Sequence, residues 1–150
     1  MKLQKPAFVY MNGKLLPWEK ATLHVGCEAA IRGLNVFEGV KSYRQPDGSL
    51  AIVMLRNHFE RLQRSARLLY IPFEISYEGL VDGLRELAEA LVQPDKEMWF
   101  RVTLFVTQGH WGEDTRAEMV ITGYQTDTSL PRPIHLGVST WRRSPDVSLP

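Results

Sequence analysis

The chain has 150 residues, 44% of them hydrophobic and 23% charged, a globular profile that argues against disorder and allows a sizeable core. With 18 basic and 17 acidic residues the formal charge is +1, so the charge balance points to neither a nucleic acid nor an anionic membrane as partner. Cys27 is the single cysteine, which rules out an internal disulfide; with no apolar run of signal-peptide or membrane-span length, a reducing, cytoplasmic setting is expected.

Ala7 to Met11, then Asn12-Gly13, then Lys14-Leu15-Leu16 reads as a β-hairpin, because Asn-Gly accepts the positive φ angles of a tight turn. Val36 to Arg44 is the next strand, and Pro46-Asp47-Gly48 turns it into another, Leu50 to Leu55. A helix is expected from about Asn57 to Leu69, with Phe59, Leu62, Ala66 and Leu69 as its apolar stripe and Arg61, Arg64 and Arg67 on its flank. Pro72 closes that element. Ser76 is a candidate N-cap for a second helix, in which Leu80, Val81, Leu84, Leu87, Ala88 and Leu91 recur at helical spacing up to Pro94.

Met98 to Val106 is a strand whose even positions are all apolar. That alternation puts Trp99, Arg101, Thr103 and Phe105 together on the opposite face. Ala117 to Tyr124 and Ile134 to Trp141 read as two more strands, joined by a polar, Pro-containing stretch that suits a connector between domains. The sum is an α+β domain: a mostly antiparallel sheet flanked by two helices over 1–124, a connector over 125–133, and the first strand of a second domain in 134–150.

The residues taken alone carry little chemistry. There is no phosphate-binding glycine loop, no metal-ligand spacing and no Ser-His-Asp arrangement, and His24, His58, His110 and His135 are scattered and read as structural. Arg61 on a helix flank reads as a solvated charge or half of an i,i+4 pair. Arg101 stands out, since a guanidinium within so apolar a strand calls for a carboxylate or phosphate to fill its fork. Phe37, Gly39 and Lys41 share one strand face, where the glycine either leaves room for a ligand or marks a bulge.

In order, however, the segments Met11-Asn12-Gly13, Gly33-Leu34-Asn35-Val36-Phe37-Glu38-Gly39 and Leu55-Arg56-Asn57-His58-Phe59-Glu60-Arg61-Leu62 resemble class IV, pyridoxal-phosphate-dependent aminotransferases. Trp99-Phe100-Arg101 stands where the branched-chain members carry an aromatic-x-Arg motif, and Ser139-Thr140-Trp141-Arg142-Arg143-Ser144-Pro145 is similar to their approach to the Schiff-base lysine. The resemblance runs along essentially the whole chain and identifies it with the N-terminal small domain of that fold.

The resemblance implies transamination between an amino acid and a 2-oxo acid, with pyridoxal 5'-phosphate as cofactor and electron sink. Arg61 matches the arginine that binds the cofactor phosphate, a task suited to a guanidinium fork. Phe37 and Gly39 match positions lining the substrate pocket, and Lys41, on the same strand face, belongs with them as a candidate substrate-binding residue. Trp99 and Arg101 match the pair that receives the substrate carboxylate. The resemblance also implies a homodimer in which a loop of one subunit closes the other's site; Gln108-Gly109-His110-Trp111-Gly112 is either that loop or a plain hairpin connection.

Three departures qualify it. None of Lys2, Lys5, Lys14, Lys20, Lys41 and Lys96 matches the catalytic lysine, which is expected just after Pro150, in a large domain supplied by the same or another chain. Arg32 stands where relatives usually have tyrosine; it either reads a second anionic group on the substrate or pairs with an acid such as Glu28. The stretch after Tyr124 lacks the aromatic residues of branched-chain enzymes. An aminodeoxychorismate lyase-type elimination, and a non-catalytic binding or assembly module, stand as the alternatives.

Overall fold

The computed structural model describes residues 4–109, 114–127 and 133–142. Its sheet has six antiparallel strands, which lie side by side in the order second, first, sixth, fifth, third, fourth along the chain. The hairpin of β1 (Phe8–Met11) and β2 (Lys14–Pro17) turns as expected at Asn12 and Gly13, whose φ angles are 50° and 81°. Between β2 and β3 lie a 3-10 turn, Trp18–Lys20, and a one-turn helix, α1 (Glu28–Ile31), neither foreshadowed by any apolar periodicity. Then come β3 (Asn35–Arg44), β4 (Leu50–Ile52), α2 (Leu55–Leu68), α3 (Tyr77–Leu91), β5 (Lys96–Gln108) and β6 (Arg116–Asp127).

The two long helices cover one face of the sheet, α3 against β1 and β6 and α2 against β3. Into that interface β5 sends Met98, Phe100, Val102, Leu104 and Val106, all essentially without solvent contact, as their alternation requires. Leu62 and Ala66 of α2 and Leu80, Leu84 and Leu87 of α3 meet them. The Ser76 hydroxyl caps α3 by accepting the Gly79 N–H at 3.0 Å. Gly83 lets α3 approach the sheet: a Cβ there would stand 2.6 Å from the buried Tyr10 ring. Gly83→Ala is therefore expected to destabilise by about 1–3 kcal/mol through overpacking, despite alanine's better helix propensity; a higher melting temperature in thermal denaturation would contradict this.

Four expectations need correction. The strand after the Asp47 turn stops at Ile52 rather than Leu55, its pairing with β3 ending at Ser42 as the chain turns away toward α2. The chain then turns through Met54, at φ 50°, and α2 begins at Leu55 rather than Asn57. Sheet pairing also carries β6 on to Asp127, into the stretch expected to be a connector, since Lys96 at the start of β5 faces it. Ile134 to Trp141, expected as a strand, forms none: residues 133–142 carry no regular structure, and Ile134, Leu136, Val138 and Trp141 are exposed. Alternating apolar residues make a strand only when another strand completes their hydrogen bonds, and no described strand pairs with this segment. Of the proposed closing loop, Gln108 ends β5 and Gly109 follows at φ 73°, while His110 to Gly112 lie outside the described residues.

Candidate active site

The register between β3 and β5 assembles the site. Phe37 pairs with Thr103, Gly39 with Arg101 and Lys41 with Trp99, and directly opposed residues of an antiparallel pair point to the same side. All six residues thus belong to the face away from the long helices. The ladder through Gly39 is unbroken, which removes the bulge explanation for this glycine. Its open Cα instead receives the Trp99 indole, which a Cβ would meet at 3.4 Å.

Arg101 lies between two rings, its Cζ 5.2 Å from the Phe37 centroid and 4.9 Å from that of Trp99. These cation–π contacts hold the guanidinium beside the two rings. No carboxylate pairs with Arg101 among the described residues, so the N–H edge stays available to an anion. Trp99 is braced in turn by Tyr124, with centroids 5.6 Å apart. The cost anticipated for an arginine in this strand does not arise as such, because Arg101 is on the exposed face.

Beside Arg101 a cleft of about 410 Å³ opens on this face. Phe37, Arg101 and Thr103 form its sheet wall, and Trp18, Leu23 and Ala29 of the β2–β3 connection form the other. The lining is apolar save for the guanidinium and a few short polar groups, which is the composition of a small-molecule site. Trp18 and Leu23 were missed by sequence reasoning; the connection has no periodicity, and nothing local says that it folds back over the sheet.

The other candidates stand apart from the cleft. Lys41 pairs with Glu97 at 3.1 Å and lies over the Tyr43 ring at 4.7 Å. Arg32 lies within 3.5 Å of Glu28, one helical turn earlier, and is not part of the cleft wall. If the full-length protein carries out the transamination that the resemblance implies, Arg32→Tyr is expected to change its kcat/KM for leucine and glutamate in proportion; a selective loss of tenfold or more for glutamate, the scale of one charge-assisted contact at about 1.5 kcal/mol, would make Arg32 a substrate reader.

Arg61 sits on the helix side of β3. Among the described residues, this strand pairs between Asn35 and Lys41 with β5 alone, which leaves its outer edge open. Arg61 reaches that edge from α2 with its side chain 56% exposed. Its Nε and Nη2 donate to the Glu38 carboxylate at 2.5 and 2.6 Å, and the His58 Nδ1 stands 2.8 Å from the same carboxylate. Burial by itself raises the Glu38 pKa, but the hydrogen bonds and charges of Arg61 and His58 outweigh it and hold the carboxyl below its ordinary range. Arg61 is raised in return, chiefly by its hydrogen bonds to Glu38. Sequence reasoning passed over both partners, although β-alternation from Phe37 and the i,i+3 spacing of His58 and Arg61 bring them to the same flank.

The donors fit a phosphate. Nη1 of Arg61 has no partner among the described residues and lies on an exposed side chain, as the site for a dianion requires. The described residues hold no cluster of three metal-ligating side chains, and no described helix is long and apolar enough to cross a membrane.

The family model described as Amino-transferase class IV matches residues 35–150. The branched-chain-amino-acid aminotransferase of Escherichia coli (strain K12) is 27% identical over 164 residues, covering 100% of this chain and 50% of that protein. The crystal structure of the Escherichia coli branched-chain amino acid aminotransferase superimposes with a TM-score of 0.78 at 24% identity, over 97% of this chain and 50% of its own. The branched-chain amino acid aminotransferase from Thermobaculum terrenum, in its PLP-form, gives a TM-score of 0.67 at 23% identity, over 83% of this chain and 41% of its own. The chain thus spans about half the length of the relatives it matches.

Proposed function

We propose, from the premise that this chain belongs to the class IV amino-transferase family, that it forms the small domain of a pyridoxal-phosphate-dependent transaminase acting between an amino acid and a 2-oxo acid of branched-chain type. The observation that carries the reading is the ring-clamped Arg101, free of any described carboxylate, at the wall of a largely apolar cleft. A substrate with one carboxylate and an aliphatic side chain has the complementary chemistry: the guanidinium receives the carboxylate, and Phe37, Leu23 and Trp18 exclude water from the hydrocarbon.

Arg61 would hold the cofactor phosphate at the open edge of β3. When bound, pyridoxal phosphate supplies an electron sink for the bond broken at the substrate Cα. Trp99, lying over Gly39, keeps the guanidinium of Arg101 in place while substrate enters and leaves. The lysine that this chemistry requires belongs to the large domain, which we place from about residue 134 onward. The exposed Leu23, Val25 and Ile31 beside the cleft suit coverage by a second copy, and a cytoplasmic homodimer completes the proposal.

The full-length protein is expected to carry a near-visible cofactor absorbance, bleached by borohydride, and to transfer the amino group of leucine, isoleucine or valine to 2-oxoglutarate. Absence of bound cofactor, or turnover confined to elimination, would sink the reading.

A further inference from the structure

We propose that Glu38 is the positioning residue that presents Arg61 to the cofactor phosphate, with His58 as its second support; this rests on the role of Arg61 proposed above. Glu38 lies between Phe37 and Gly39, so β-alternation sends its carboxylate to the helix side, where its side chain is only 8% exposed. A carboxylate so placed needs partners. Its Oε1 accepts from Arg61 Nε, and its Oε2 accepts from Arg61 Nη2 and faces His58 Nδ1. Nη2 is a donor only and lies 3.3 Å from that same Nδ1. A proton on Nδ1 given to Glu38 satisfies all three groups, whereas an Nδ1 accepting from Arg61 would turn a lone pair toward the carboxylate.

The consequence is orientation. An arginine side chain at an exposed position ordinarily samples many rotamers, and ordering it weakens whatever binds it. Two parallel bonds to a buried carboxylate take the Nε–Nη2 edge and fix the plane of the fork. Nη1 and the outer proton of Nη2 remain for an incoming anion at the open strand edge. The negative charge of Glu38 works the other way, by reducing the attraction that a dianion feels. Orientation and charge compensation therefore predict opposite signs when Glu38 loses its charge, and this is what makes the proposal decidable.

The test compares binding of pyridoxal 5'-phosphate and of pyridoxal to the cofactor-free full-length protein, by fluorescence titration. The difference between the two affinities isolates the phosphate contact. In Glu38→Gln the phosphate-bearing ligand is expected to bind about tenfold more weakly, the scale of one charge-assisted hydrogen bond, with pyridoxal unchanged. His58→Gln is expected to show a smaller loss of the same kind, and it carries the test if Glu38→Gln does not fold. Tighter or unchanged phosphate binding, or equal loss of both ligands, overturns the positioning role. The reading beneath it fails separately: if the wild-type protein prefers pyridoxal 5'-phosphate no more than pyridoxal, or if Arg61→Ala leaves that preference intact, Arg61 does not hold the phosphate.

Discussion

Arg101→Met in the full-length protein is expected to lower kcat/KM for leucine by more than a hundredfold while leaving cofactor affinity within about twofold. The substitution keeps an unbranched, apolar stem packed between Phe37 and Trp99 and removes the charge. If the substrate carboxylate is held by two charge-assisted hydrogen bonds at about 1.5–3 kcal/mol each, the loss totals about 3–6 kcal/mol, before any relaxation of the site. Steady-state kinetics with leucine and with an aliphatic amine that lacks the carboxylate decide it. Leucine alone is expected to suffer, and an equal loss on both would mean that Arg101 supports the cleft without touching substrate.

Arg61→Ala is expected to weaken pyridoxal 5'-phosphate binding by about 1.5–3 kcal/mol, or tenfold to over a hundredfold, as one charge-assisted contact is lost. Excess cofactor is expected to restore much of the activity, because the groups that meet substrate lie across β3, on its other face. Equilibrium dialysis of the variant against cofactor, followed by activity at saturation, checks both halves. Unchanged affinity would reduce Arg61 to a structural partner of Glu38. The variant also leaves the Glu38 carboxylate with His58 as its one remaining described partner. Since Arg61 helps to hold the Glu38 pKa below its ordinary range, their pairing stabilises the fold above that range and is lost as pH falls through the lowered value. The stability deficit of Arg61→Ala relative to wild type is therefore expected to be largest near neutral pH and to narrow in acid.

What the amino-acid sequence determined by itself was most of what has a short repeat length. Alternation along Met98 to Val106 assigned five residues to the core and put Trp99 and Arg101 on the other face, and it put Phe37 and Gly39 together by the same parity. Asn12-Gly13 specified its hairpin because few other pairs accept two positive φ angles. Helical spacing found α2 and α3, and the hydroxyl of Ser76 marked where α3 begins. The class IV resemblance was likewise carried by contiguous segments, and the match over residues 35–150 agrees with it.

Only the tertiary structure decided which faces meet. The register that sets Gly39 opposite Arg101 joins residues far apart in the chain, and no local pattern encodes a pairing partner at that distance. The cleft needs residues 18–34 to cross the sheet, a path set by packing rather than by periodicity. Glu38 and Arg61 each look ordinary until α2 docks against β3 and joins a buried acid to an exposed base. Ile134 to Trp141 shows the converse: apolar residues alternate from Ile134 to Val138, yet the segment forms no strand, because backbone hydrogen bonds in a sheet belong to pairs of strands and not to the sequence of either one.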